Sequence, residues 1–257
     1  KDIFKKIIFY IQNPNNLDYL HTVIYGSPGS GKTELAKIYG EIFLRLGLLK
    51  TDKFIEVKRD DLIGKYLGQT APKTREWLDK SIGGVFFLDE AYSLGCSGDH
   101  QDSYSKESID MINQYLSEKK TEFMMIIVGY EKELDESFFS YNPGLKRRFS
   151  SFYKIEPYTH FELCKIFKNK VKEIDYNLMV EDEYLDAFFL KNTPSFKYFG
   201  GDIEKLITQI KYSHSLRTFY TNDNNMNIEK SDIEEGYKKY RENSKDEKKS
   251  LPINLYT

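Results

Sequence analysis

The chain of 257 residues is long enough to bury a full hydrophobic core, and its length predicts one large domain or two small ones. With a formal net charge of -2 it has no overall basic character, so nucleic acid is disfavoured as a partner, although a local basic surface stays open. Its two cysteines, Cys96 and Cys164, form no C-x-x-C pair, which argues against a disulfide framework or a zinc site. No apolar run reaches the roughly 20 residues of a membrane helix and no signal-peptide pattern opens the chain, so we expect a cytoplasmic protein without a membrane partner.

The first predicted elements lead into a glycine-rich loop. Apolar residues recur at helical spacing over residues 3–11, until an Asn-Pro break ends that helix. Residues 23–25 predict a short buried strand, residues 26–33 match the pattern G-x-x-x-x-G-K-[ST], and a further helix follows to about Gly47. The order strand, loop and helix is that of a phosphate-binding loop.

The residue types of this loop fit a bound triphosphate. Glycines let successive backbone N–H groups turn toward an anion, and the following helix adds the positive end of its dipole. Lys32 would reach the outer phosphates as a catalytic group, and the Thr33 hydroxyl would ligate Mg²⁺. The alternative is a glycine-rich turn that matches by chance, which the flanking strand and helix disfavour. The residues predicted to bind the nucleotide are Gly26, Ser27, Pro28, Gly29, Ser30, Gly31, Lys32, Thr33 and Glu34.

A polar loop with an aromatic-aliphatic-glycine triplet follows the second predicted strand, residues 54–57. In this loop Tyr66 and Leu67 could contact a partner, or Tyr66 could be a partly buried anchor; residue types alone favour the anchor. Thr70 is placed to cap the next helix, with Pro72 in its first turn.

Two acids end the next apolar run. Residues 82–88 predict a strand of a parallel sheet covered on both faces, and Asp89 and Glu90 follow at its carboxyl end, where open α/β sheets bind ligands. Asp89 would hold Mg²⁺ through water, and Glu90 would polarise the attacking water as general base. Two solvated acids are the alternative, which the phosphate loop upstream disfavours.

Three cations precede the last predicted strand. After a polar loop, a helix and a strand at residues 123–128, the chain reads Lys146-Arg147-Arg148 before the strand at 152–155. The cluster could be an ordinary solvated one, or could supply a guanidinium that neutralises charge on a transferring phosphoryl group.

Helical spacing dominates beyond residue 157. We expect an α/β nucleotide-binding domain at 1–157, a helical domain at 158–240 whose last helix opens with a capping box at 231–234, and a loose charged tail at 241–257. The four histidines form no ligand constellation.

These motifs together resemble an AAA+ ATPase, and most closely the group that includes the red-type rubisco activases and stage V sporulation protein K. The resemblance covers roughly residues 20–160 and is carried by segments 26–33, 61–74, 83–92, 128–130 and 142–148. It implies a five-stranded parallel sheet flanked by helices, a helical lid, and a ring, commonly a hexamer, that binds ATP at its subunit interfaces.

The resemblance also implies roles for single residues. Tyr66 and Leu67 match a pore loop that grips a polypeptide, which reverses the preference for an anchor, and residues 95–104 match a second pore loop. Arg148 matches an arginine finger that reaches a neighbour's ATP, with Arg147 as the alternative.

Two positions depart from the pattern of many relatives. Tyr130 follows the fourth strand, with Gly129, where a polar sensor residue is common. Glu204 stands where relatives often place an arginine, and Lys205 is the possible substitute; the lid's contact with the γ-phosphate is therefore an open question.

The sequence thus predicts an ATP-driven remodeller of a protein substrate, a ring-forming homo-oligomer with ATP and Mg²⁺ as cofactors. The alternatives are a nucleotide-gated scaffold or nucleic-acid loader, and a small-molecule P-loop kinase, which the second helical domain and the arginine pair disfavour. Rubisco is a possible substrate by family analogy only, and no residue specifies it.

Overall fold

The computed structural model describes residues 2–13, 19–95, 102–221 and 225–249. The chain divides into two compact units. The first comprises Lys1–Ser27 with Gly31–Glu156, and the second comprises Pro28–Ser30 with Pro157–Thr257. Within the described ranges, no helix has both the length and the apolar composition that crossing a bilayer requires.

The first unit is built on a parallel sheet of five strands in the order β2-β3-β4-β1-β5, which confirms the predicted fold class. The strands are β1 Thr22–Tyr25, β2 Phe54–Val57, β3 Val85–Leu88, β4 Met124–Gly129 and β5 Ser151–Lys154. The predicted third strand is too long at its start, because the residues before Val85 form a turn in which Gly83 takes a φ of 85°.

Helices cover both faces of this sheet. They are α1 Asp2–Gln12, α2 Lys32–Arg45, α3 Arg59–Leu62, α4 Thr70–Lys80, α5 Ser103–Glu118 and α6 Glu131–Glu133. Alternate strand residues belong to two separate cores: Phe86 and Ile127 pack in one with α4 and α5, whereas Phe87 and Ile126 pack in the other with α1 and α2. Burial on both faces explains why β1, β3 and β4 read as continuous apolar runs.

Thr70 does not cap α4 as predicted. The helix begins at Thr70 itself, after Gln69, and the Thr70 hydroxyl oxygen accepts a hydrogen bond from the Gly64 N–H at 3.0 Å. The hydroxyl therefore closes the base of the loop that carries Tyr66 and Leu67.

The second unit consists mainly of four helices around its own apolar core: α7 His160–Glu173, α8 Asp182–Asn192, α9 Phe199–Thr221 and α10 Lys230–Lys249. The all-helical prediction needs one correction, because β6 Asn177–Leu178 and β7 Asn227–Ile228 form a short parallel pair. A pair of two-residue strands is too short to show an alternating pattern in the sequence.

The last helix differs from its prediction at both ends. It begins at Lys230 rather than after Ser231, and the Asp232 carboxylate accepts a hydrogen bond from the Glu229 N–H at 2.9 Å. The capping contact therefore joins residues 229 and 232, two positions before the predicted pair 231 and 234. It then continues past residue 240 to Lys249, where a loose tail was expected. Residues 250–257 lie outside the described part of the chain.

Candidate nucleotide-binding site

The loop between β1 and α2 has the backbone of an anion site. Gly29 and Gly31 take φ angles of 69° and 81°, in the left-handed region that favours glycine. Gly31 directly precedes α2 and, as a glycine, offers that helix no side-chain cap. The Ser30 hydroxyl oxygen is buried and has no hydrogen-bond partner among the residues that the structure describes. Uncapped N–H groups and an unsatisfied hydroxyl fit a phosphate ligand.

Lys32 is held in the loop by neutral groups. Its Nζ donates hydrogen bonds to the carbonyl oxygens of Gly26 and Ser27, at 3.0 Å each. The same ammonium lies 5.5 Å from the centroid of the Tyr130 ring. Burial lowers the Lys32 pKa, and the nearby Asp89 and Glu90 carboxylates partly oppose that shift. The two carbonyl contacts place the Lys32 Nζ beside the loop, where phosphate oxygens would bind.

The two predicted acids lie at the same edge of the sheet as the loop. β4 runs between β1 and β3, and the Gly26 N–H donates to the Gly129 carbonyl at 3.3 Å, so the carboxyl ends of these three strands are neighbours. Asp89 accepts the Glu90 N–H at 2.9 Å. Glu90 is exposed and has a φ of 48°, an unusual conformation for a residue with a side chain, which often marks a functional position.

Two tyrosines complete this edge, and residue types alone did not predict them as part of the site. Burial raises the pKa of Tyr92, and the nearby Glu90 side chain adds to that shift. The rings of Tyr92 and Tyr130 stack with centroids 5.6 Å apart. A side chain at Gly129 would come within 3.0 Å of the Tyr92 ring. The sequence offered one signal for these side chains, a tyrosine shortly after the end of the third strand and another after the end of the fourth.

The residues present fit a magnesium-bound triphosphate. Thr33 and Asp89 would supply oxygen ligands, the kind that Mg²⁺ prefers, together with phosphate and water. Over the residues that the structure describes, no group of three or more His, Cys, Asp or Glu side chains could hold a metal ion alone. Glu34, also predicted near the nucleotide, pairs on the surface of α2 with Lys37 at 3.2 Å.

Comparison with known families agrees with this geometry. The family model described as "ATPase family associated with various cellular activities (AAA)" matches residues 22–156. The chain belongs to the AAA family.

Curated relatives of this AAA chain confirm the group that it resembles. It is 42% identical to a putative cfxQ-like protein of Acanthamoeba polyphaga mimivirus, over 96% of this chain and 62% of that protein. It is 40% identical to stage V sporulation protein K of Bacillus subtilis, over 64% of this chain and 50% of that protein. It is 39% identical to a chloroplastic ribulose bisphosphate carboxylase/oxygenase activase of Cyanidioschyzon merolae, over 79% and 69% of the two chains. The chain thus spans less than two thirds of the length of the first two relatives.

A solved structure supports the fold. The crystal structure of the FIGL-1 AAA domain in complex with ADP superposes with a TM-score of 0.64 at 15% identity, over 97% of this chain and 87% of that one.

The triplet loop of the AAA chain is exposed. Tyr66 and Leu67 are 68% and 78% accessible, so the interpretation of Tyr66 as a partly buried anchor is wrong. Gly68 takes a φ of 79°, and the Gln69 N–H donates to the Tyr66 carbonyl at 3.2 Å, which makes the loop a tight turn with two apolar side chains in solvent.

Polar contacts tie the base of this loop to α5. The Arg59 guanidinium donates to the Asp102 carboxylate at 2.7 Å, and the Ala71 N–H donates to the Glu107 carboxylate at 3.1 Å. Asp102 also caps α5, through the Tyr104 N–H. The predicted second pore loop, 95–104, ends here, but residues 96–101 lie outside the described ranges.

The two arginines lie at the opposite edge of the sheet from the acids. Both precede the parallel strand β5, whereas the phosphate loop, Asp89 and Glu90 follow the carboxyl ends of theirs. Arg148 is half-buried, and its Nη1 donates to the Tyr19 hydroxyl at 3.0 Å; Arg147 is exposed. Arg148 therefore lies far from the phosphate loop of its own sheet.

Glu204 lies on α9 with its carboxylate 2.5 Å from the Lys170 Nζ. The position where relatives often place an arginine thus carries an acid that is paired within the second unit. Lys205 is exposed one residue further along.

Proposed function

We propose that the chain binds ATP with Mg²⁺, hydrolyses it at the interfaces of a ring of identical copies, a hexamer by family resemblance, and remodels or partly threads a polypeptide. Residues 1–157 act as the nucleotide-binding domain and residues 158–240 as a helical lid. The observation that carries the proposal is the convergence of the phosphate loop, Asp89 and Glu90 at one edge of the sheet.

Each group at this edge has one task. The loop N–H groups and Lys32 bind the phosphates, and Thr33 and Asp89 hold the metal. Magnesium, when bound, neutralises charge on the phosphate oxygens. Glu90 is exposed at the strand end, where its carboxylate can accept a proton from the attacking water.

The arginine is supplied by a neighbouring copy. A guanidinium near the transferring phosphoryl group accelerates hydrolysis by roughly 10³ to 10⁵. Since Arg148 precedes β5 and the phosphate loop follows β1, one four-residue strand length, on the order of 13 Å, separates them within a sheet. A second copy could remove this separation by placing the amino ends of its strands against the carboxyl ends of the first copy's strands. The contribution of Arg148 to hydrolysis therefore requires a ring or another assembly.

The exposed loop favours polypeptide over nucleic acid. Tyr66 and Leu67 present an aromatic and an aliphatic side chain in a tight turn, which suits apolar contact with an extended chain.

The decisive experiment is Glu90→Gln, which keeps the size of the side chain and removes the base. We expect turnover to fall at least 100-fold, with ATP affinity retained and rings stabilised. ATPase assays, calorimetry and sedimentation would measure these three quantities. Glu41→Gln, on the exposed surface of α2, is the matched control. Wild-type turnover in Glu90→Gln would refute the proposal.

Tyr66→Ala separates the two substrate classes. We expect this variant to keep basal hydrolysis and to lose stimulation by an unfolded polypeptide. Stimulation by DNA that Tyr66→Ala leaves intact would instead favour a nucleic-acid loader.

A further inference from the structure

Tyr19 and Arg148 form a contact between two segments that are 129 positions apart in sequence. Besides the hydrogen bond of 3.0 Å, the guanidinium carbon of Arg148 lies 5.8 Å from the centroid of the Tyr19 ring. The phenol therefore touches the arginine with both its hydroxyl and its ring.

Tyr19 is itself fixed in place. Its backbone carbonyl accepts a hydrogen bond from the Ser150 hydroxyl, and its ring centroid is 5.8 Å from that of His21. His21 is fully buried, its Nδ1 accepts the Met125 N–H at 3.0 Å, and its ring packs on Phe149. The residue next to Arg148 thus belongs to the core, and the tyrosine rests on that core.

The charge of Arg148 is left uncompensated. Between described residues, neither Arg148 nor Arg147 forms an ion pair with a carboxylate, and the Arg148 Nε is buried without a hydrogen-bond partner. Lys120 brings a second cation to within 5.1 Å of the Tyr19 ring centroid. A carboxylate in place of Tyr19 would orient the arginine but cancel its charge, whereas a neutral phenol orients it and leaves the full charge for a phosphate.

We infer that Tyr19 is a positioning residue for Arg148, which it orients toward the triphosphate held by a neighbouring copy, and that Arg148 rather than Arg147 is the finger. The inference rests on the proposed function and goes beyond it, because it assigns a role to a residue outside every recognised motif. Arg147, one residue earlier, is exposed and has no comparable hydrogen-bond partner among the described residues.

The first test is Tyr19→Phe, which removes the hydroxyl and keeps the ring. Losing one hydrogen bond that orients a transition-state group should lower kcat roughly tenfold. KM for ATP and the unfolding temperature should stay at their wild-type values, since neither ATP binding nor core packing uses the hydroxyl. Tyr212→Phe, an exposed tyrosine on α9, is the matched control.

A double variant separates positioning from a general structural role. Single-turnover hydrolysis of radiolabelled ATP resolves slow rates, so Arg148→Ala and Tyr19→Phe/Arg148→Ala can be compared directly. We expect the two rates to be equal, because the hydroxyl has no function once its arginine is gone. Additive losses, or an unchanged kcat in Tyr19→Phe, would overturn the inference.

Mixed rings test whether the effect crosses the interface. Tyr19→Phe subunits have an intact phosphate site and a poor finger, whereas Glu90→Gln subunits have the reverse. Their mixture should exceed the summed activity of its parts, as should the benchmark mixture of Arg148→Ala with Glu90→Gln. A gain in the benchmark mixture alone would overturn the role of Tyr19. Wild-type turnover in Glu90→Gln would instead overturn the proposed function, so the two failures are distinguishable.

Discussion

Two cations of the first unit, Lys32 and Arg148, are bonded differently from the buried charges around Asp232 in the second unit. In the first unit, Lys32 bonds only to backbone carbonyls and Arg148 bonds to a phenol. In the second unit, the buried Asp232 receives hydrogen bonds from Arg217 Nε and Nη2, both at 2.9 Å, and Glu229 lies 3.0 Å from the same guanidinium. Among the described residues, Lys32 and Arg148 thus form no ion pair, whereas Asp232 and Glu229 are both paired with Arg217.

This difference predicts which substitutions affect turnover and which affect folding. An uncompensated charge adds little to the stability of the free protein, so its removal should affect activity and leave unfolding unchanged. A buried pair behaves in the opposite way, because removing one partner leaves a desolvated charge behind.

The largest effect should follow Lys32→Ala. Loss of the cation that contacts the phosphates should lower kcat/KM for ATP by roughly 10³, and weaken ATP binding in calorimetry. The unfolding temperature should not fall, since Lys32 is partly desolvated and bonds only to carbonyls. Lys37→Ala, exposed on the same helix, is the control. A loss of stability in Lys32→Ala as large as that expected for Arg217→Ala would contradict the comparison.

Arg217→Ala should destabilise the second unit. It leaves the carboxylate of Asp232, which is 2% exposed, without its cation, and we expect a loss of about 3 kcal/mol in the free energy of unfolding by urea. Arg45→Ala, which breaks an exposed pair with Glu41, should cost less than about 1 kcal/mol. Similar losses in both variants would remove the distinction between buried and exposed pairs.

His21 extends the comparison to a titratable group that is buried without charge. Burial, helped by Lys6, lowers its pKa to about 3, whereas the unfolded chain has the ordinary value of 6.5. Below pH 6.5 the unfolded state therefore takes up a proton that the folded state does not. As the pH is lowered from 6.5, the free energy of unfolding decreases until the pH reaches the folded pKa of about 3. Between pH 7 and 5 this one group should lower the free energy of unfolding by about 2 kcal/mol.

The measurement is urea unfolding at several pH values. His21→Asn should have a flatter dependence on pH than the wild type, even if its stability at pH 7 is lower. His160→Gln, at the start of α7, is the control substitution, because it leaves His21 in place. An unchanged slope in His21→Asn would show that another group is responsible.

Glu204→Ala should have the smallest effect. The acid forms an exposed pair with Lys170, so its loss should cost less than about 1 kcal/mol and change turnover by no more than about twofold. Steady-state hydrolysis and thermal unfolding would measure both. A tenfold change in turnover would mean that this position acts on the nucleotide after all.

Local patterns in the sequence predicted most of the sheet, and they predicted the phosphate loop and the two acids at its carboxyl edge. Strand, loop and helix around Lys32, and the apolar run before Asp89, are each set by neighbouring residues, so one short window holds the information. Helix starts were less predictable, because adjacent polar residues compete to cap. The hydroxyl of Thr70 accepts a hydrogen bond from a loop, and Asp232 rather than Glu234 accepts the N–H before the last helix.

Contacts between distant segments were not predictable from patterns. No periodicity links Tyr19 with Arg148, or Arg59 with Asp102, since each pair meets only after the sheet and helices have packed. The proximity of Tyr92 to Glu90 is local, but a tyrosine two residues after an acid has no distinctive signature.

Arg148 and the phosphate loop lie at opposite edges of one sheet, so under the proposed function an isolated subunit has an incomplete active site. Hydrolysis per subunit would then rise with protein concentration until every copy has neighbours on both sides. Dilution alone would then lower ATP hydrolysis per subunit without any inhibitor. The amount of the protein that a cell makes would control this activity.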